Sequence, residues 1–142
     1  MNAKEKAELY AERAELLAVV YLTRREDVLL AHPQTGARFD LLATLLSDGK
    51  TTGRAFGVVT SAVDADPPKT NEPDSGLRNV PIPVCEFVFA MDSDAGFWRW
   101  IRQPDDARET GLSFSHGDVE PLDNAALEHI VRAVQDWYAT RK

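Results

Sequence analysis

The chain has 142 residues, of which 44% are hydrophobic and 27% are charged, and its formal net charge at pH 7 is −7. These values are typical of one folded domain and exclude a disordered or fibrous chain. The acidic excess disfavours general nucleic-acid binding, because contacts to phosphates depend on clustered lysine and arginine side chains. Arg24 with Arg25, and Arg99 with Arg102, are places where a local basic patch could form, but we expect ordinary solvated charges there.

No segment reaches the roughly 18 consecutive apolar residues of a membrane helix, and the charged amino terminus lacks the apolar core of a signal peptide. We therefore expect a cytoplasmic protein that does not bind membranes. The single cysteine, Cys85, excludes an internal disulfide and a multi-cysteine metal site, and we expect a buried, unreactive thiol. His32, His116 and His129 are too scattered along the chain to predict a pair of metal ligands.

The first predicted element is a long helix over residues 3–25. Its apolar stripe has the three- and four-residue spacing of one helix face and consists of Tyr10, Ala14, Leu17 and Tyr21. The segment LLAVVYL, residues 16–22, is apolar all round. We therefore expect the second half of the helix to be buried on several sides.

Three strands are predicted next, over residues 27–31, 37–47 and 54–63. The second ends at the turn formed by Asp48 and Gly49. Asp40 stands among apolar residues of this second strand, where a carboxylate is costly unless it is paired or coordinated. Arg38 is two residues away, would lie on the same strand face, and could form a salt bridge with Asp40.

Residues 64–83 contain five of the eight prolines. This composition predicts an irregular connection, with a short helical turn near residues 74–79. The connection is long enough to cross over to a parallel strand, and a loop of this length in a compact domain is usually functional or mobile.

The remaining elements are predicted to be a hairpin of strands at 84–92 and 96–102, a further strand within 111–119, and a final helix. Asp123 or Asn124 should cap this helix, and its core stripe should consist of Leu127, Ile130, Val131, Val134 and Tyr138. The order of elements predicts a single α/β domain over residues 1–142, with a central mixed β-sheet flanked by the amino-terminal and carboxy-terminal helices.

A family resemblance rests on three segments: AERAELLAVVYLTRRED at 11–27, GARFDLL at 36–42 and VPIPVCEFVFAMDSDAGFWRWI at 80–101. Together they resemble the first helix, the aspartate-bearing strand and the later hairpin of the restriction-endonuclease-like PD-(D/E)XK nuclease superfamily. Within it, the likeness is to small uncharacterised bacterial nuclease-like domains. The resemblance covers about residues 8–103 and implies the restriction-endonuclease-like fold.

The resemblance also implies phosphodiester cleavage with Mg²⁺ held by converging carboxylates and assisted by a lysine. It places Asp40 as a metal ligand and Glu15 as the helix glutamate, with Glu86 as a further candidate ligand. The third strand departs from the family pattern, because Val58 stands where the second ligand is expected and Thr60 where the lysine is expected. These departures predict a degenerate, non-catalytic site with no cofactor, and Mg²⁺ only if the domain is an active nuclease.

Three interpretations of Asp40 stay open. It could form a structural salt bridge with Arg38, line a vestigial acidic pocket, or belong to a working metal site. Each interpretation predicts different neighbours for the same carboxylate.

Three functions follow as hypotheses. The first is a non-catalytic restriction-endonuclease-like domain that acts as a binding or assembly module; the resemblance alone suggests a prokaryotic defence or mobile-element system. The second is a divergent Mg²⁺-dependent nuclease. The third is an acidic protein-binding domain of the immunity or inhibitor type, whose charge suits a basic partner. We expect a protein partner, because the net charge disfavours nucleic acid.

The segment GFWRW, residues 96–100, is a candidate binding surface. On a strand, Trp98 and Trp100 share one face and Arg99 lies on the other. Tryptophan and arginine are typical of base-stacking platforms and protein-binding hot spots. The alternative is that the tryptophans pack beneath the terminal helix against Trp137 or Tyr138.

Overall fold

The computed structural model describes residues 1–34, 36–115 and 117–141, so His116 lies outside the described residues. The described residues form two α-helices and seven β-strands. In chain order these are α1 (Ala3–Thr23), β1 (Val28–Ala31), β2 (Leu41–Ser47), β3 (Lys50–Val63), β4 (Val84–Ala90), β5 (Gly96–Pro104), β6 (Leu112–Phe114), β7 (Glu120–Pro121) and α2 (Asn124–Ala139). Neither helix combines the length and the apolar character needed to cross a membrane.

The described strands form one mixed sheet in the order β1-β2-β3-β4-β5-β6, and β7 pairs with β5. β3 and β4 are parallel, and the other neighbouring strands are antiparallel. The connection 64–83 is therefore the crossover that its length predicted. It contains a 3₁₀ turn at Ser75–Leu77, within the region predicted to be helical. The predicted α/β fold, with a mixed sheet flanked by terminal helices, is confirmed.

The two helices and the connection cover opposite faces of the sheet. Buried residues of α1 and α2 share one cluster with alternate side chains of β2, β3, β4 and β5. A smaller cluster on the other face contains Leu77 of the connection with Val84 and Ile101 of the sheet. The connection therefore covers the face that the helices leave open.

β3 begins at Lys50, four residues earlier than predicted. Asp48 and Gly49 have φ angles of 51° and 74°, which suit a two-residue hairpin turn. The register then shifts where Gly53 has a φ of 76°, so that the strand carries a bulge. The bulge interrupts the alternation of side chains, and this is why the first part of the strand was not predicted.

The outer face of α1 is exposed, and the prediction of burial on several sides was wrong. Leu16 and Val20 are 60% and 49% exposed, and Leu9 is 48% exposed. The face toward the sheet is formed by Ala14 and Ala18 together with Leu22. No other layer of the described chain covers the outer face, so apolar composition did not lead to burial here.

α2 begins after Asp123, whose carboxylate accepts a hydrogen bond from the Ala126 N–H at 2.8 Å. Four residues of the predicted stripe are buried, and Tyr138 is half-buried; the buried residue near the end of the helix is Trp137. The predicted cap and most of the predicted stripe are therefore confirmed.

Candidate functional site

A cavity of about 380 Å³ lies between the sheet and the connection, and we call it the central cavity. The sheet side carries Asp40, Ser61 and Glu86, and the connection contributes residues 69–74. Two of the three carboxylates singled out in the sequence therefore line the same concave surface.

Asp40 precedes β2 and is exposed, so the prediction that it lies within a buried strand was wrong. Its N–H donates to the Val58 carbonyl at 2.9 Å. Its Oδ2 accepts hydrogen bonds from the Thr60 N–H at 2.7 Å and from the Thr60 hydroxyl at 3.2 Å. Because β2 starts only at Leu41, the Thr60 N–H has no backbone partner on that side, and the carboxylate takes this place.

Arg38 does not pair with Asp40; its Nη1 lies 3.6 Å from Asp74 Oδ2. Residues 38 and 40 would share a face only inside a strand, and this segment is not part of one. Between them, the Phe39 ring lies over Gly57, where an added Cβ would be 2.8 Å from the ring. Phe39 therefore anchors the segment to the sheet, while Arg38 reaches the connection.

Glu86 is held in a buried network. Its Oε1 accepts a hydrogen bond from Arg99 Nε at 2.7 Å, and its Oε2 accepts one from Ser61 Oγ at 2.6 Å. The side chains of Glu86 and Arg99 are only 12% and 5% exposed. Arg99 Nη2 also donates to the Asn71 carbonyl at 2.6 Å. The same guanidinium therefore neutralises Glu86 and ties the connection to the sheet.

Glu15 lies on α1, which packs against the other face of the sheet, and it does not line the central cavity. Its Oε1 is 3.5 Å from His32 Nδ1. The structure thus brings Asp40 and Glu86 to one cavity and leaves Glu15 apart. Across residues 1–34, 36–115 and 117–141, no group of three or more His, Cys, Asp and Glu side chains is arranged to hold a metal ion.

The Mg²⁺ that the family resemblance implies does not fit the residues present. Val58 is fully buried in the cluster beneath the helices, and Thr60 is bonded to Asp40. Magnesium is usually held by one or two carboxylates, with water completing a near-octahedral shell. Here Glu86 is paired with Arg99, whose positive charge opposes a metal cation beside the same carboxylate.

Trp98 and Trp100 are core residues, only 5% and 8% exposed. Their ring centroids are 5.5 Å apart, and Trp98 lies 5.9 Å from the His129 ring of α2. On the other strand face, Arg99 is the buried partner of Glu86. The structure therefore places the three candidate binding residues in the interior, and Trp98 contacts the His129 ring of α2, where Trp137 or Tyr138 was expected.

Cys85 is fully buried, and this burial raises the pKa of its thiol well above the ordinary value. A thiol with a raised pKa carries little thiolate and is a poor nucleophile. The predicted burial of Cys85 is confirmed, and the raised pKa agrees with an unreactive thiol.

Two arginines were assigned wrongly as solvated charges. Arg99 and Arg102 are only 6% and 7% exposed. The predicted hairpin, with its turn at 93–95, would set Arg102 opposite Glu86, whereas in the structure β4 ends at Ala90 and Arg99 lies opposite Glu86. No local signal indicated the observed partner of Arg102, whose Nε donates to the distant Val80 carbonyl.

Comparison of the chain with protein-family models, with curated protein sequences and with solved structures finds no match.

Proposed function

We propose that this protein is a non-catalytic domain with a restriction-endonuclease-like fold that acts as a protein-binding module. The observation that carries the proposal is the bonding of Glu86, whose two oxygens are engaged by Arg99 and Ser61. The Arg99 guanidinium neutralises this carboxylate, and its positive charge opposes a divalent cation at the same place. Asp40, the other carboxylate of the central cavity, accepts the Thr60 N–H of β3 and so has a structural role of its own.

The layout of the chain supports the fold part of the proposal. A helix precedes three strands, a crossover leads to a parallel fourth strand, and a hairpin and a helix follow. This order of elements agrees with the fold that the resemblance to the PD-(D/E)XK superfamily implies. The crossover departs from the family in carrying a 3₁₀ turn in place of a helix, which agrees with its many prolines.

The outer face of α1 is the surface that we assign to the partner. Leu9, Leu16 and Val20 are separated by seven and four residues and so lie on one helix face; we call them the α1 stripe. All three are about half exposed or more. A run of exposed aliphatic side chains on one helix face is typical of an interaction site.

The charges beside the α1 stripe indicate the kind of partner. Four glutamates follow one flank of the stripe: Glu5, Glu8, Glu12 and Glu15. On the other flank, Lys6 and Arg13 are already paired with Asp64 and Asp94. A complementary partner is a basic amphipathic helix, whose apolar side chains contact the stripe and whose lysines or arginines contact the glutamates. The net charge of −7 adds long-range attraction for such a partner.

A nuclease assay tests the non-catalytic part of the proposal. Purified protein is incubated with Mg²⁺ or Mn²⁺ and with single- and double-stranded DNA and RNA. We expect no more cleavage than for Asp40→Asn, a variant of matched size. Cleavage by the unmodified protein that disappears in Asp40→Asn would overturn the proposal and favour the divergent metal-dependent nuclease.

A peptide-binding assay tests the α1 stripe. The probe is a labelled synthetic helix of about 18 residues, or five turns, with a leucine face flanked by lysines. Leu16→Ser should weaken binding by about tenfold or more, because burial of a leucine contributes roughly 1.5–3 kcal/mol. Leu29→Ser is the matched control, since Leu29 is 52% exposed but lies on β1 away from the stripe.

Binding should also be lost when the lysines of the peptide are replaced by glutamates, and it should weaken at high salt. Equal weakening by Leu16→Ser and Leu29→Ser, or no binding of the lysine peptide, would contradict the assignment. Sedimentation of the protein without peptide tests whether the α1 stripe binds a second copy of the chain. A dimer that dissociates in Leu16→Ser would assign the stripe to a second copy of the chain.

A further inference from the structure

A second cavity, of about 330 Å³, lies beside β6, and three arginines line it. We call it the arginine cavity; its arginines are Arg78, Arg102 and Arg108, and Glu109 is the carboxylate among its lining residues. Ser113 and Phe114 contribute to the same wall. Such a concentration of positive charge is unexpected in a chain whose net charge is −7.

Arg102 is a buried cation without a counter-ion. It is 7% exposed, and its Nε donates to the Val80 carbonyl at 2.8 Å. Among the residues that the structure describes, no carboxylate lies within 4.0 Å of its guanidinium, and its Nη groups have no protein acceptor. Burial lowers the pKa of Arg102 from its ordinary value. A buried charge normally has a partner, and none is supplied by the described part of the fold.

The three arginines come from different segments of the chain, and only Arg102 is buried. Arg102 faces Phe114 across β5 and β6, next to a register shift between β4 and β5. Arg78 follows the 3₁₀ turn, and its guanidinium lies 4.8 Å from the centre of the Phe114 ring. Arg108 lies in the loop before β6, with Nε 3.6 Å from an Asp105 oxygen. The convergence therefore depends on three separate parts of the chain.

We propose that the arginine cavity binds a dianionic phosphoryl group, either free or carried by a small molecule. Guanidinium groups present a planar fork of N–H donors that pairs with phosphate oxygens, and several of them can share the charge of a dianion. The Ser113 side chain offers a hydroxyl donor in the same wall. The volume of about 330 Å³ exceeds that of a lone phosphate and lies at the lower end of small-molecule sites.

A polynucleotide fits these observations less well. Binding to a nucleic-acid backbone depends on many phosphate contacts spread along a basic surface. Here the positive charge is confined to one cavity of an acidic protein. The proposal does not depend on the α1 stripe or on the absence of catalysis.

The test is an NMR titration of isotope-labelled protein at low salt with inorganic phosphate, AMP, adenosine and a short DNA duplex. We expect saturable shifts of the Arg102 side-chain N–H and of neighbouring amides with phosphate or AMP, and none with adenosine. Tighter binding of AMP than of phosphate would assign the site to a phosphorylated small molecule. Equal binding would assign it to free phosphate.

Variants locate the site. Arg102→Met should weaken binding by about tenfold or more, because a charge-assisted pair is lost. Arg102→Met removes a cation that has no counter-ion in the described fold. If this variant does not fold, Arg108→Met replaces an exposed arginine of the same cavity instead. Arg132→Met is the matched control, since Arg132 is 70% exposed on α2 and pairs with Glu128.

Three results would overturn the proposal. The first is the lack of saturable shifts with both phosphate and AMP. The second is binding that Arg102→Met and Arg108→Met leave unchanged, or that Arg132→Met weakens equally. The third is tighter binding of the DNA duplex than of AMP with the same loss in Arg102→Met, which would assign the cavity to nucleic acid.

Discussion

Replacing Glu86 by leucine distinguishes a structural role of this carboxylate from a catalytic one, because the two roles predict opposite changes in stability. In a metal site, carboxylates are held close together, and removing one usually stabilises the metal-free fold. In this protein, Glu86→Leu leaves the Arg99 guanidinium buried without its counter-ion. We therefore expect destabilisation.

The magnitude follows from the contacts that are lost. Breaking a buried ion pair by removing one partner typically costs about 3–5 kcal/mol. Because Arg99 keeps its hydrogen bond to the Asn71 carbonyl, we expect about 3 kcal/mol for Glu86→Leu. Arg99→Met also loses that bond and should cost about 4 kcal/mol. The double variant replaces the pair by apolar side chains and should cost only about 1–2 kcal/mol.

The assay is urea unfolding at neutral pH, followed by circular dichroism and tryptophan fluorescence, for the unmodified protein and the three variants. A domain of this kind has a free energy of unfolding of about 5–15 kcal/mol, so each variant should keep a folded baseline. Glu86→Gln and Arg99→Lys are milder replacements if a baseline is lost. A neutral or stabilising Glu86→Leu, or a double variant equal to the sum of the single ones, would refute the structural role.

Three further predictions concern other contacts and use the same unfolding assay. Asp40→Ala should lower the free energy of unfolding by about 1 kcal/mol, whereas Asp40→Asn, which keeps an acceptor oxygen, should lower it less; equal losses would contradict the hydrogen bond. Gly57→Ala should destabilise by about 1–3 kcal/mol, because a Cβ would meet the Phe39 ring at 2.8 Å; a neutral result would show that the ring moves freely. The hydrogen bond from Arg25 lowers the pKa of Asp27, so this contribution is present above the unfolded pKa of about 4 and is lost as the pH falls through the folded pKa. Asp27→Asn should therefore destabilise by at most about 1 kcal/mol at pH 7 and less in acid; a pH-independent difference would contradict this pairing.

The elements of the fold followed largely from local patterns in the sequence. The α2 stripe, the hairpin across 93–95 and the length of the connection predicted the helix, the antiparallel pair and the parallel crossover. Each of these elements is identified by a side-chain period, or by turn residues, within a few neighbouring positions of the sequence. The bulge near Gly53 is an exception, because it breaks the period on which the prediction depends.

The central cavity was predictable in part. That Glu86 faces an arginine across the hairpin could have been predicted, but a turn at 93–95 would set Arg102 there; Arg99 takes this place because β4 ends at Ala90. The pairing of Arg38 with Asp74 could not, because it depends on where the connection folds back. The expected pairing of Arg38 with Asp40 required a strand that begins only at Leu41.

The α1 stripe and the arginine cavity could not be predicted from local sequence patterns. Whether Leu16 and Val20 are buried depends on whether another layer covers α1. Whether Arg102 has a counter-ion depends on segments that meet only after folding, around the carbonyl of Val80. The composition of one segment determines neither the burial of these leucine and valine side chains nor the pairing of Arg102, because both depend on how the whole chain packs.

The central claim, that the carboxylates of the central cavity serve the fold rather than a metal, is tested most directly by calorimetric titration of the protein with Mg²⁺ and Mn²⁺. If Asp40 and Glu86 are engaged as the structure places them, neither ion should give saturable heat. Saturable binding with a Kd below about 1 mM that is lost in Asp40→Asn would contradict the claim and restore a metal site.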